Sequence, residues 1–185
     1  MPARLGILLS GSGSTYANLA ARCADRRLVA AIAVVVASRP DCGGAALARE
    51  HGHPLAIASD PAAVTAALRT AGCDLVAMCG WLRYYDPPAD LAGRVLNVHP
   101  SLLPAFGGQG MYGLRVHAAV IAHGCRVSGC TVHEVSGAYD SGRILDQAAV
   151  RVEPGDTPAT LAARVQAAER ELYPAVIARR LAGAC

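Results

Sequence analysis

Leu28 to Ala37 is an uninterrupted apolar run dominated by Val and Ala, and it constrains the fold more than any other stretch of the chain. A half-exposed strand alternates apolar and polar side chains, whereas a strand apolar on both sides has to lie inside a sheet that is covered on both faces. The run is too short to cross a bilayer, which takes about 20 residues. It is therefore expected to be a buried strand of an α/β sheet. The surrounding sequence fits, because strand-like and helix-like segments alternate. Arg4 to Leu9 is a short apolar run, Gly11 to Thr15 a Gly/Ser turn, and Tyr16 to Arg22 has helical character. Ala45 to His51 reads as helix, Pro54 to Ile57 as a short strand, and Ala62 to Thr70 as helix with Asp60 as N-cap and Pro61 in the first position. Asp74 to Cys79 and Val95 to Val98 are further strands. Leu114 to His123 looks helical, Arg126 to Val135 and Arg143 to Val152 alternate as a hairpin-like pair, and Thr157 to Leu181 is a closing amphipathic helix capped by Thr157. The expectation is a single-domain, Rossmann-like α/β fold over residues 1–185, with an open, mostly parallel sheet, helices on both faces and late antiparallel strands.

Composition removes several function classes. With 53% hydrophobic and 17% charged residues, the chain has material for one well-buried domain. The net charge of +3 comes from scattered basic residues, and aromatic residues make up only 4%. Neither a basic stripe nor a base-stacking platform is visible, so no nucleic acid partner is expected. All 17 basic residues are arginine. Without lysine there is no Schiff-base chemistry and no P-loop lysine. The first apolar run breaks into Gly and Ser before a secretory core can form, which points to a cytoplasmic protein with no membrane partner. Cys23, Cys42, Cys73, Cys79, Cys125, Cys130 and Cys185 are an odd set without a Cys-x-x-Cys pair, arguing against a disulfide framework and a zinc knuckle; most read as small core residues. His51-x-His53 has no acidic or cysteine partner at ligand spacing and reads as surface or turn histidines, so no metal is expected.

Three constellations carry chemistry. In Asn97-Val98-His99-Pro100, alternation at a strand end puts the amide and the imidazole on one face. Such a pair can stabilise a tetrahedral oxyanion and move protons around it, although a His-Pro strand end in a turn has the same local sequence. Ser10-Gly11-Ser12-Gly13-Ser14-Thr15 joins the first strand to the first helix, where N–H groups and hydroxyls make an anion site. Tyr16 stands at the third glycine position of a dinucleotide fingerprint, and the second strand ends in Ser38-Arg39 with no acid. A phosphomonoester is thus preferred to a dinucleotide, with a plain tight turn as the structural alternative. Ser136 to Gly142 is a loop of small residues around Asp140. Asp140 reads locally as a turn aspartate, but a carboxylate beside the imidazole would raise its pKa and let it donate a proton near neutral pH.

Together, Ser-Gly-x-Gly-Ser after the first strand, Asn97 to Pro104, Gly129-Cys130-Thr131-Val132-His133, Asp140-x-Gly142, Gly155-Asp156-Thr157 and Glu169 with Tyr173-Pro174 strongly resemble the folate-dependent formyltransferases. Within that family they are most similar to the phosphoribosylglycinamide formyltransferases of purine synthesis. The resemblance covers nearly the whole chain. It implies a catalytic triad of Asn97, His99 and Asp140, with the ribonucleotide phosphate on Gly13, Ser14 and Thr15 and the segment Gln166, Ala167, Ala168 and Glu169 closing over the ribonucleotide. It further implies that Leu82, Arg83, Tyr84 and Tyr85 hold the pterin of 10-formyltetrahydrofolate, and that Ser136, Gly137, Ala138, Tyr139 and Asp140 cover that ring. Residues 1–100 would form the phosphate-binding half and 101–185 the folate-side and closing half, with no metal and with a monomer or homodimer as the working unit. The implied reaction is direct transfer of a formyl group from folate N10 to the substrate's glycyl amine.

The sequence departs from the family in three places. Thr15 stands where an asparagine is usual, the loop Ala105 to Gly113 is longer than in many members, and no clear counterpart exists for the arginine that meets the folate tail, Arg69 being the candidate. A methionyl-tRNA formyltransferase would carry a further C-terminal domain and a formyltetrahydrofolate hydrolase a further N-terminal one, so length disfavours both. An NADP-binding oxidoreductase built on Gly11 to Thr15 and Arg39 is the alternative from another class.

Overall fold

The computed structural model describes residues 1–183. Its elements, in chain order, are β1 (Ala3–Leu9), α1 (Ser14–Ala24), β2 (Ala30–Ala37), α2 (Gly43–Glu50), β3 (Leu55–Ile57) and α3 (Pro61–Thr70), followed by β4 (Leu75–Met78), β5 (Val95–His99), α4 (Leu114–Ala122), β6 (Val127–Glu134), β7 (Ile144–Arg151) and α5 (Pro158–Leu181). All seven strands lie in one sheet of order β3-β2-β1-β4-β5-β6-β7. The pairings β1–β2, β2–β3, β1–β4 and β4–β5 are parallel, and β5–β6 and β6–β7 are antiparallel. The expected mixed sheet is thus present, with its antiparallel strands at the late edge.

The chain winds from β1 outward to β3 and then returns to the other side of β1 with β4. That reversal opens a crevice at the carboxyl ends of β1 and β4, the usual binding place in open α/β sheets. The two strand ends are tied there, since Ser10 N–H donates to Gly80 O (3.1 Å) and Leu82 N–H to Ser10 Oγ (3.0 Å).

One apolar layer packs β1 and β2 against α1, α2 and the end of α5, and a second packs their other face against α3 and the segment around Trp81, Tyr85 and Leu91. Val35, Val36 and Ala37 of the long apolar run are fully buried, because both faces of β2 are covered. Asp60 caps α3 by accepting from Ala63 N–H at 2.9 Å, and Thr157 caps α5 in a reciprocal box with Thr160, both as expected. The six described cysteines are free, four of them buried; Cys185 lies outside the described residues.

The closing helix differs from a simple amphipathic stripe. Leu161 and Val165 pack with Val120 and Cys130, whereas Tyr173, Val176 and Ile177 pack into the layer under β1 and β2. The buried face shifts around the helix because its two halves cover different neighbours. Pro174 sits inside it and cannot donate to the Arg170 carbonyl. Asn18 Nδ2 of α1 donates to that carbonyl instead, at 2.9 Å, so the proline's missing bond becomes a tie between α1 and α5.

Candidate active site

The β1–α1 corner is built from backbone. Gly13 has φ +83°, a left-handed conformation that side chains disfavour, and a Cβ there would lie 2.6 Å from Gly44 Cα. Only glycine lets α2 approach this closely. No side chain caps the amino end of α1, leaving its first N–H groups directed outward as an anion site requires. The helix begins at Ser14, so Ser14 and Thr15 belong to its first turn. Thr15 Oγ1 donates to Glu169 Oε1 at 2.6 Å, bringing α5 to the loop. Burial raises the Glu169 pKa, with Thr15 and Arg170 opposing. Of the four α5 residues expected here, Glu169 makes this contact. Ala168 instead packs inside the protein, and Gln166 and Ala167 are exposed. Tyr16, at the third glycine position, is fully buried with its hydroxyl 2.6 Å from His53 Nδ1.

Across the crevice, β5 and β6 place Asn97 directly opposite His133 and His99 opposite Thr131. Asn97 Nδ2 lies 3.1 Å from His133 Nε2, and His133 Nδ1 lies 2.9 Å from the Glu134 carbonyl. A carbonyl only accepts, so Nδ1 carries the proton and Nε2 accepts from Asn97. Asp140, at φ +53°, reaches back from the β6–β7 loop. One of its oxygens lies 3.4 Å from His99 Nδ1, the other 3.6 Å from His133 Nε2, and Gly108 N–H donates to the first at 2.9 Å. Gly107 is confined by the same approach, since a Cβ there would sit 2.5 Å from Leu103 Cδ2 and 3.2 Å from Asp140 Cβ.

His99 is only 4% exposed, and its Nε2 lies 2.9 Å from the Phe106 carbonyl. With a carbonyl at one nitrogen and a carboxylate at the other, the geometry favours a proton on both. Burial outweighs this: it is the largest influence and holds the His99 pKa below the ordinary imidazole value against the pull of Asp140 and Phe106. The expected upward shift is therefore corrected, because the sequence showed the carboxylate but not the depth of burial. For Asp140, burial pushes upward, but the His133 and His99 rings, which donate to it and attract it when protonated, and the Gly108 N–H overcome it and the pKa is lowered.

A cavity of about 70 Å³ opens beside this cluster, lined by Arg83, Tyr84, Tyr85, Asn97, Ser136, Ala138, Tyr139 and Asp140 among the expected residues, and by Met78, Trp81, His133 and Val135 besides. His99 lies behind Asp140 rather than on the wall. Leu82 is turned outward, 53% exposed. Arg69, the candidate for a folate tail, is instead paired with Asp90, 2.7 Å between NH2 and Oδ1. His133 was overlooked as a site residue; the signal was present, since it closes the Gly129–His133 run and the alternation of β6 sets it on the Asn97 side.

A family model described as formyl transferase matches residues 3–177 of this sequence. The chain belongs to the formyl transferase family. Within it, a chloroplastic phosphoribosylglycinamide formyltransferase of Arabidopsis thaliana is 41% identical over 94% of this chain and 64% of that protein, so the chain spans a little under two thirds of the length of that relative. Among solved structures, glycinamide ribonucleotide transformylase 1 from Symbiobacterium toebii aligns with a TM-score of 0.87 and 38% identity, covering 98% of this chain and 89% of that one. A phosphoribosylglycinamide formyltransferase from Brucella melitensis aligns with a TM-score of 0.86 and 36% identity, covering 99% and 97%. The formyl transferase fold thus accounts for the whole sheet, late antiparallel strands included.

Proposed function

We propose that this chain transfers the formyl group of 10-formyltetrahydrofolate to the amine of 5'-phosphoribosylglycinamide in purine biosynthesis, working in the cytoplasm. The observation that carries the reading is that Asn97, His133 and Asp140, with His99 against Asp140, cluster at a cavity also lined by Trp81, Tyr84, Tyr85 and Tyr139. Its orientation is supported by the bare amino end of α1 and the Thr15–Glu169 contact, which suit the acceptor's phosphate and ribose. Gly13, Ser14 and Thr15 would hold the phosphate, with Gln166 to Glu169 alongside. Arg83 to Tyr85 and Ser136 to Asp140 would hold the folate. Its partners are small molecules.

The amine attacks the formyl carbon, and the carbonyl oxygen becomes an oxyanion beside the free N–H of the Asn97 amide. His99, hydrogen-bonded to Asp140, takes up a proton from solvent as this charge develops, balances it as the imidazolium, and releases that proton again when the intermediate collapses. The added negative charge favours the protonated imidazole, offsetting the burial that keeps it neutral in the free protein. Collapse breaks the bond from carbon to N10. The proton lost by the amine is delivered to N10 through a water ordered by Asp140, giving the formamide and tetrahydrofolate. Incubation with both substrates tests this directly, by following loss of formyl-folate absorbance. Loss that depends on the ribonucleotide supports the reading, and turnover with water alone would replace it with a hydrolase.

A further inference from the structure

The loop between β6 and β7 carries Asp140, yet few contacts hold its middle. Its stem is closed by Glu134 N–H to Arg143 O (2.9 Å) and Val135 N–H to Val95 O (2.8 Å). Residues 136–139 are exposed, and the hydrogen bonds within the loop, Ser136 to Ser141 and Ser141 to Ala138, tie it only to itself. Among the described residues, one hydrogen bond reaches 136–139 from outside the loop: Tyr84 Oη donates to Gly137 O at 3.0 Å. The Tyr84 ring also meets the Tyr139 ring edge to face, centroids 5.7 Å apart. Tyr84 is 46% exposed, whereas its neighbour Tyr85 is buried and bonded to Thr65 at 3.0 Å. Adjacent tyrosines thus do different work, one filling the core and the other spanning the cavity mouth.

We propose that Tyr84 is a positioning residue, a latch that fixes the β6–β7 loop across the cavity mouth and so seats Asp140 against His99 and His133. The catalytic half of this proposal rests on the formyl-transfer reading; the structural half does not. Asp140 holds a left-handed backbone conformation (φ +53°), which aspartate tolerates better than most side chains but not without cost. A loop with few external bonds opens at low cost. A single hydrogen bond and ring contact at its tip therefore shift its equilibrium measurably.

The test uses the Gly108 amide, which donates to Asp140 and so reports whether that carboxylate is in place. In ligand-free protein, Tyr84→Phe should speed hydrogen exchange at Gly108 by about fivefold, the factor for one hydrogen bond of ordinary net strength. Tyr84→Ala should speed it further, while Leu96 and Val98 in β5 exchange as before. In turnover, kcat should fall by at least about threefold in Tyr84→Ala as the seated population drops, with the KM for the ribonucleotide unchanged. Unaltered Gly108 exchange in both variants overturns the latch. Faster exchange with unaltered kcat overturns its link to catalysis, and so does a loss confined to the KM for formyl-folate, which would leave Tyr84 only the folate contact proposed above. If the unmodified protein transfers no formyl group, the functional reading fails, and the exchange measurement alone still decides the latch.

Discussion

The two ends of the crevice are built on opposite plans. At the β1–α1 corner the groups presented are backbone N–H donors from consecutive residues, uncapped by any side chain, and the shape is set by Gly13 at φ +83° and by Gly44 packed beneath it. At the β5–β6 end the groups are mainly side chains, drawn from two strands and one loop and met by the backbone of Phe106 and Gly108, with Asn97 and His133 separated by 36 positions in sequence and Gly108 and Asp140 by 32. The first end can be specified by one short motif because a helix amino terminus brings its own dipole and donors. The second exists only once β5 and β6 have paired in register, and its electrostatics follow from burial as much as from which residues are present.

This contrast predicts separable defects. Asn97→Ala, His99→Ala and Asp140→Ala should each lower kcat by at least ~100-fold, the range for losing an oxyanion donor or a proton-transfer group, with little change in the KM for the ribonucleotide; steady-state kinetics would break the comparison if that KM rose instead. Gly13→Ala should act on the other end and on the fold together. Placing a side chain at positive φ against Gly44 costs roughly 2–4 kcal/mol, seen as a lower Tm and weaker ribonucleotide binding. Glu169→Gln keeps an acceptor for Thr15 but removes its charge, and should raise the KM for the ribonucleotide by about tenfold with kcat preserved. Asn18→Ala leaves the Arg170 carbonyl without its donor and should cost about 1 kcal/mol in denaturant unfolding, with no kinetic change.

The His99 titration sharpens the electrostatic half. Its pKa is already lowered by burial while Asp140 pulls it upward, so Asp140→Asn should move the ring titration to still lower pH by NMR; an upward move would show that the pair is not coupled as described. Both shifts also bear on stability. His99 and Asp140 have pKa values below their ordinary ones, so the unfolded chain binds more protons in each window. Their contribution is complete above the ordinary imidazole value. It diminishes first as pH falls through the His99 window and again below the ordinary carboxylate range.

Much of this was legible without coordinates. Asp60 and Thr157 announced their helices because capping is a local hydrogen bond, and Leu28 to Ala37 announced a buried strand because both its faces are apolar. Asn97 and His99 were readable as a pair because strand alternation is local too. His133 was harder, since its importance depends on which residue of β5 it faces, and antiparallel register is not encoded within either strand alone. Leu82 and Tyr84 share a segment expected to bind the pterin, yet one is turned outward and the other bonds to Gly137; a short sequence names a segment without aiming each side chain.

By itself, then, the sequence determined the order of strands and helices, the glycine corner at the amino end of α1, and the chemical types gathered at the end of β5, because propensities, caps and periodicity act over a few residues. The tertiary structure alone decided that Asp140 stands between His99 and His133, that Glu169 reaches Thr15 and that burial lowers rather than raises the His99 pKa. Those outcomes depend on distance and on the loss of water around a charge, and both are fixed only when elements far apart in the chain have packed together.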